Sequence, residues 1–249
     1  MNNRNRILSC IRTGTVSVKG LRKGPLFRKR SKVDLFHAWE GIEKQKAGQS
    51  ESLSRSFQKE CEVLSVKVHV VSTFDEARHF LSSILKETMV KRVIKWDSPL
   101  LIRLKIDRLL DSLGVQDMLP ADKISVKKAN RKDFVMPESK ADLGISGADY
   151  GLADSGTLVL RARPGQDRAT SLLPPIHVAI IESEHILPGL DDLITRLLLD
   201  FEEKGDLNSC LTLITGPSKT ADIEMNLVHG VHGPKELHVI LLNIHEAPS

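Results

Sequence analysis

Aromatic side chains are scarce in this chain: two Trp, one Tyr and seven Phe make up 4% of its 249 residues. A core without them has to rest on Leu, Ile and Val, which suits parallel strands buried on both faces. Cysteine is scarcer still. Cys10, Cys61 and Cys210 are odd in number, widely spaced and without CxxC pairing, which argues against a disulfide framework or a cluster site and for a reducing cytoplasm. No run approaches the roughly 18 apolar residues of a membrane span. The amino terminus has no apolar secretory core. Several signatures are also missing. A P-loop would need glycine at 213 and 218, where Leu213 and Ser218 stand, so nucleotide hydrolysis is disfavoured. There is no HExxH, no GxSxG elbow and no GxGxxG dinucleotide fingerprint.

Acidic residues are absent from residues 1–32, which carry ten Lys/Arg, although the whole chain has a net charge of only +4. The body is therefore slightly acidic, and the basic charge is confined to an arm. A solvated tail is the plain reading; contact with RNA, a membrane surface or an acidic partner, or a transit peptide, are the others. Residues 33–249 read as a single α/β domain with a helical lead-in over 33–64, interrupted by a polar loop at Ala47–Ser54. From Val66 onward strands and helices alternate. Strands are expected at Val66–Ser72, Arg92–Trp96, Leu158–Arg161, Ile176–Glu182, Cys210–Thr215 and Leu237–Asn243, with helices at Phe74–Met89, Leu100–Leu113, Leu190–Glu203 and Thr220–His229. Such alternation predicts βαβ units and a mostly parallel, Rossmann-like sheet flanked by helices. Ligands then bind beyond the carboxyl ends of the strands.

Two connections draw attention. Gly144–Thr157 holds four glycines, Asp149, Asp154 and three hydroxyls, a composition that allows backbone amides to form an anion nest. It is equally a turn feeding a hairpin. The second runs from Thr215 to Pro234. A strand breaks at Gly216-Pro217, and the expected helix opens near Ser218–Thr220 beside Lys219, where free N–H groups favour an anion. Alternatively Ser218 or Thr220 caps that helix, and Asp222 and Glu224 serve its dipole. Asp222, Asn226 and His229 would share one face of it. His229 with His232, and Glu182 with Glu184 and His185, are the only metal-like groupings; lacking a metal-site motif, they read as structural or surface residues.

Three stretches in this order, GISGADYGLADSGTLVL, SLLPPIHVAIIE and TGPSKTADIEMNLVHGVHGP, resemble the LUD-domain family, with the similarity running from about Asp34 to Asn243. The resemblance implies a fold of the NagB/RpiA/CoA-transferase group, whose wider membership binds sugar phosphates, CoA esters or folates. It also implies a bacterial cytoplasmic component of a system that oxidises L-lactate to pyruvate with two partner proteins. Iron–sulfur clusters are then expected on those partners; three cysteines here cannot supply a four-thiolate set. The matching motif residues are Gly147, Ala148, Asp149, Gly156 and Thr157, then Gly216, Pro217, Ser218, Thr220, Ala221, Asp222, Glu224, His232, Gly233 and Pro234. This chain departs from the family pattern at Asp154-Ser155, where Glu-Thr is usual, and at His229, where Leu is common.

The expected site therefore binds a small carboxylate or other anion between the two connections. Ser146, Gly147, Ser155, Gly156, Thr157, Gly216, Ser218, Lys219 and Thr220 would hold it, Asp149, Asp222, Glu224 and His232 would position or move protons, and no metal or cofactor would sit on this chain. The alternatives are a free-standing enzyme acting on a phosphorylated or CoA-linked substrate, and a non-catalytic subunit that docks partners.

Overall fold

The computed structural model describes residues 31–118, 140–205, 210–223, 226–230 and 232–244. Residues 1–30 of the basic arm, Cys10 among them, the polar stretch from Lys123 to Ser139 and Glu224 lie outside the described residues. Helix α1 (Lys32–Val63) leads into β1 (Lys67–Val71), α2 (Phe74–Glu87), β2 (Arg92–Lys95), α3 (Pro99–Arg103), α4 (Ile106–Leu113) and β3 (Gln116–Asp117). Then follow β4 (Leu143–Gly147), β5 (Tyr150–Leu152), β6 (Thr157–Arg161), α5 (Ala169–Leu172) and β7 (Ile176–Glu182). A 3-10 turn (Ser183–His185) leads to β8 (Ile186–Leu187), α6 (Leu190–Lys204), β9 (Leu211–Ile214), β10 (Lys219–Ile223), β11 (Asn226–His229) and β12 (Glu236–Leu242).

Six strands form a wholly parallel sheet in the order β1-β12-β7-β4-β2-β3, flanked by helices. Its centre is the driest part of the molecule. Every residue of β4 is buried, as is β7 from Ile176 to Ile181. The β7 run is aliphatic except for His177 and does not alternate, as burial on both faces requires. The aromatic-poor composition is thus met by Val, Ile and Leu, each contributing about 2 kcal/mol on full burial.

A second sheet, β8-β5-β6-β9, is mixed: β5 and β6 form an antiparallel hairpin, β8 runs parallel to β5, and β9 antiparallel to β6. The chain passes from the first sheet into the second at two places. The chain leaves β4 at Ala148, whose N–H donates to Ile180 O, and at Asp149 joins the hairpin by donating to Val159 O. It leaves β7 through the 3-10 turn and joins the second sheet at β8.

Four expectations need correction. Gly144–Thr157 is not an open anion-binding loop: its first four residues complete the central strand β4, and the rest is the β5–β6 hairpin, as its alternative reading expects. The glycines reflect close packing rather than an open nest. At Gly144 an added Cβ would lie 1.9 Å from Thr170 O, because α5 crosses β4 there at backbone contact. At Gly156, with φ +62°, it would lie 2.7 Å from the Cys61 N–H nitrogen, because the end of α1 abuts the hairpin turn. Second, where a helix was expected over Thr220–His229, Lys219–Ile223 and Asn226–His229 are the antiparallel strands β10 and β11. Ala221, Ile223, Met225 and Leu227 alternate with polar residues at period two, the pattern of a strand. Third, the polar segment Ala47–Ser54 continues α1 without a break. Pairs such as Arg55 with Glu51 and Lys46 with Glu43 support a helix whose buried residues are only Leu35, Phe57 and Cys61. Fourth, the expected helix Leu100–Leu113 is two helices, α3 and α4, separated by Lys105 at φ +52°.

Two predictions follow from this packing. Gly144→Ala forces β4 and α5 apart and should cost about 3 kcal/mol or more in chemical denaturation. The second concerns acid. Burial pushes the His177 imidazole down to about 3. Burial, with Lys67 and His69 adding to it, pushes His238 down to about 4, against a smaller opposing pull from Glu236. Both are neutral when folded and protonate near 6.5 when unfolded. Their contribution to stability is therefore complete above about pH 6.5 and declines as pH falls toward the folded values. Unfolding free energies from urea titrations at pH 7.5 and 5.0 should differ by about 2 kcal/mol per histidine, and His238→Asn should flatten the dependence by about one proton.

Candidate functional site

A cavity of about 370 Å³ opens beyond the carboxyl ends of β2, β4 and β7, where the chain segments leave the parallel sheet. Its walls carry five cations, Arg103, Arg161, Arg163, Arg196 and Lys204, against three carboxylates, Asp149, Glu182 and Asp200. Cations are therefore in excess.

Each guanidinium is placed by a neighbour. Arg161 ends β6, and its side chain is only 6% exposed. It donates from one terminal nitrogen to Asp200 of α6 and from the other to the Tyr150 hydroxyl at 3.2 Å. Its backbone N–H donates to Asp149 Oδ2 at 2.8 Å. Arg163, two residues on, donates to Asp149 Oδ1 and to Gln166 Oε1, the latter at 3.0 Å. Arg196, one turn before Asp200 on α6, donates to that carboxylate and stacks on Trp39 of α1, 5.2 Å from the ring centroid. Arg103, at the end of α3, donates to Glu182 at 2.8 Å. Burial alone would raise the Asp200 carboxyl, but hydrogen bonds from Arg196 and Arg161 outweigh it and hold the group below the ordinary carboxylate range. The Tyr150 phenol is pushed up, mainly by burial, so it keeps its proton at neutral pH.

Glu182, Glu184 and His185 stand at the rim, with one ligand atom from each within 4.8 Å of the others. Glu182 is already held by Arg103, and His185 lies edge-on to Tyr150 at 6.2 Å.

The residues expected to bind or react are divided by the fold. Gly147 and Asp149 line the carboxyl-end cavity. Asp149 is not a free base there, since it accepts from both Arg161 and Arg163. Ser146 is buried within β4, 2.8 Å from His177 Nε2. Thr157, Gly216, Ser218 and His232 gather at the other end of the sheet. The hydroxyls of Thr157 and Thr215 are 2.8 Å apart, and Ser218 Oγ accepts from the His232 N–H at 3.3 Å. Gly216, Ser218 and His232 line a second cavity of about 190 Å³ that also touches His177 and Leu237, near the amino ends of β7 and β12. The amides proposed for a nest are engaged: those of Ser155 and Gly156 donate to Leu152 O, and that of Ser218 to Pro234 O. Lys219 is also committed. Its ammonium donates to Leu64 O at 3.2 Å and Ser65 Oγ at 3.0 Å, at the negative end of α1. Thr220 and Asp222 lie on β10, and Glu224 falls outside the described residues.

Sequence reading missed the arginines. Arg161 and Arg163 are spaced by two at the end of a strand, which places them on one side of it. Arg196 and Asp200 show the i, i+4 spacing of a helical ion pair.

The fold and the cavity together define a Rossmann-like α/β protein with an arginine-lined pocket beyond its parallel strands. The chain belongs to the LUD domain family, whose model matches residues 54–242. Over 161 residues it is 36% identical to "Lactate utilization protein C" of Halalkalibacterium halodurans, covering 64% of this chain and 66% of that one. It is 32% identical over 174 residues to the protein of the same name in Macrococcus caseolyticus, covering 70% and 71%. The matches thus span about two thirds of the length of these relatives. A DUF162 family protein from Deinococcus radiodurans has a similar fold, with a TM-score of 0.54 at 21% identity over 78% of this chain and 98% of its own. Among the described residues no helix is long and apolar enough to cross a membrane.

If the Asp200 network sets the cavity wall, Asp200→Ala should destabilise the protein by about 3–5 kcal/mol, because two guanidinium groups lose their shared carboxylate. Adding Arg161→Met to Asp200→Leu should recover much of that loss, measured as a double-mutant cycle in guanidinium chloride.

Proposed function

We propose that this protein is a component of a system that oxidises L-lactate to pyruvate, and that it binds a small carboxylate in the carboxyl-end cavity. The excess of guanidinium groups on its walls is the observation that carries this reading. A planar guanidinium held by a neighbouring carboxylate presents paired N–H donors in the geometry of a carboxylate ligand, and the low-dielectric surroundings strengthen the contact. The names of the relatives supply the physiological setting.

In this proposal Arg163 and Arg196, at the ends of their networks, face the ligand, while Arg161 and Asp149 fix their positions. Tyr150, protonated at neutral pH, offers a hydroxyl group near the α-carbon of a bound hydroxy acid. Removing two electrons from lactate requires an acceptor. Cys61 is a poor cluster ligand: its thiol is pushed up to about 12, chiefly by burial, and hydrogen-bonds to Gly156 O. Iron–sulfur partner proteins are the proposed acceptors. A second reading rests on size. A cavity of 370 Å³ is large enough for a drug-sized ligand, which also admits a phosphorylated or CoA-linked substrate.

Titration calorimetry with lactate, pyruvate, ribose 5-phosphate and CoA should separate the readings. Arg163→Ala is expected to weaken binding of the true ligand by about tenfold or more, while the surface control Arg78→Ala leaves it unchanged. Binding should weaken as salt rises. Equal affinities in the parent and Arg163→Ala, or growth on L-lactate unaffected by Arg163→Ala, would remove the proposal.

A further inference from the structure

Tyr150, on β5, is the only tyrosine of the chain, and it lines the arginine-walled cavity. The charged groups that bear on its phenol are Arg161, Arg196, Asp200 and Asp149, all of them residues of the cavity wall. The hydroxyl therefore lies among the side chains that a bound ligand would meet. Its oxygen accepts from an Arg161 terminal nitrogen at 3.2 Å. A phenol both accepts and donates, and its proton turns away from a guanidinium N–H already aimed at its oxygen. Among the described residues no hydrogen bond takes that proton up.

The neighbouring carboxylates are committed. Asp200 accepts from Arg161 at one oxygen and from Arg196 at the other. Asp149 accepts from the Arg161 N–H at one oxygen and from Arg163 at the other. This corner of the cavity thus presents donors, while its acceptors are in use.

We propose that Tyr150 is the specificity-determining residue of this cavity and selects α-keto carboxylates, donating its O–H to the keto oxygen while the guanidinium groups hold the carboxylate. The inference rests on the carboxylate reading given above and sharpens it. In such an acid the carboxylate and the keto oxygen stand on adjacent carbons. Arg196 and Tyr150 are likewise brought together, through Asp200 and Arg161. A keto oxygen asks only for a donor. An α-hydroxyl must also place its own proton, and the carboxylate oxygens around it are occupied. An unsubstituted acid displaces water and leaves the Tyr150 O–H without a partner. A site built to hydrogen-bond one group discriminates against the analogue lacking it, because its own polar group is then stranded. The order of preference is keto, hydroxy, unsubstituted. The oxidation proposed above removes the hydroxyl proton, the α-carbon proton and two electrons, the protons passing to water and the electrons to the iron–sulfur partners, and it leaves the oxygen that this contact favours.

Titration calorimetry of the full chain with pyruvate, L-lactate and propionate reads that order. Pyruvate should bind about tenfold or more tightly than propionate, with L-lactate between them. Tyr150→Phe should remove the preference for pyruvate over propionate, with circular dichroism confirming that the variant folds. A second measurement needs no substitution. Because the chain has one tyrosine, labelling with meta-fluorotyrosine gives a single fluorine resonance that reports on Tyr150. It should shift saturably with pyruvate, at the calorimetric affinity, and clearly less with propionate. Equal affinity for all three acids, each weakened by Arg163→Ala, would overturn this inference and leave the carboxylate reading standing. L-lactate binding as tightly as pyruvate would also overturn it, placing the hydroxyl proton on another acceptor such as His185, whose ring centroid is 6.2 Å from that of Tyr150. Failure of all three acids to bind would remove both.

Discussion

The guanidinium of Arg161 fastens the β5–β6 hairpin to α6. It sits at the end of β6 and reaches Asp200 on α6 and Tyr150 on β5, while its own backbone is held by Asp149 at the exit from β4. One residue thus ties the connection between the sheets to the helix that covers the second sheet. Such an arrangement is expensive. Burying a guanidinium and a carboxylate costs several kcal/mol per ion, which their attraction repays only when the remaining donors are also used. An apolar cluster of the same volume could hold these elements at least as firmly. The polar choice makes sense if the wall must carry positive charge toward a ligand, since guanidinium groups fixed in advance lose little entropy on binding.

The parallel sheet was largely legible in the sequence because its strands are short aliphatic runs separated by amphipathic helices. Ile176–Glu182 and Leu237–Asn243 needed no tertiary information. The central strand β4 was not legible, for a physical reason. Leu143–Gly147 contains two glycines and a serine, a composition that favours a turn. Tertiary packing overrides it: α5 passes close enough to Gly144 that no side chain fits, and strand pairing on both sides supplies the order that local propensity does not. The β10–β11 hairpin was missed for the opposite reason. Its period-two pattern was present, but a helix was read onto the cap-like residues Ser218 to Asp222.

The candidate site was legible only in part. Glycine- and hydroxyl-rich segments draw the eye because their chemistry is visible residue by residue. Here their amides are consumed by turns, and Lys219 by the end of α1. The cationic groups lie instead at the ends of elements read as ordinary structure: Arg103 after a short helix, Arg161 at the end of a strand, Arg196 within a helix. Their convergence depends on the order in which strands are laid down in the two sheets. A single sequence carries no direct record of that order.

The division between the two cavities follows from β7 itself. At its carboxyl end Glu182 stands among arginines, and near its amino end His177 is enclosed without any formal charge. About five residues separate them, roughly 16 Å along an extended strand. Between them β4 and β7 pair residue by residue, with Ser146 opposite Ala179 and its hydroxyl turned to His177. Paired strands in a close-packed core do not stretch, and interiors transmit strain rather than absorb it. A change in the packing of His177 would therefore be felt at Ser146, three residues before Asp149, which holds Arg163.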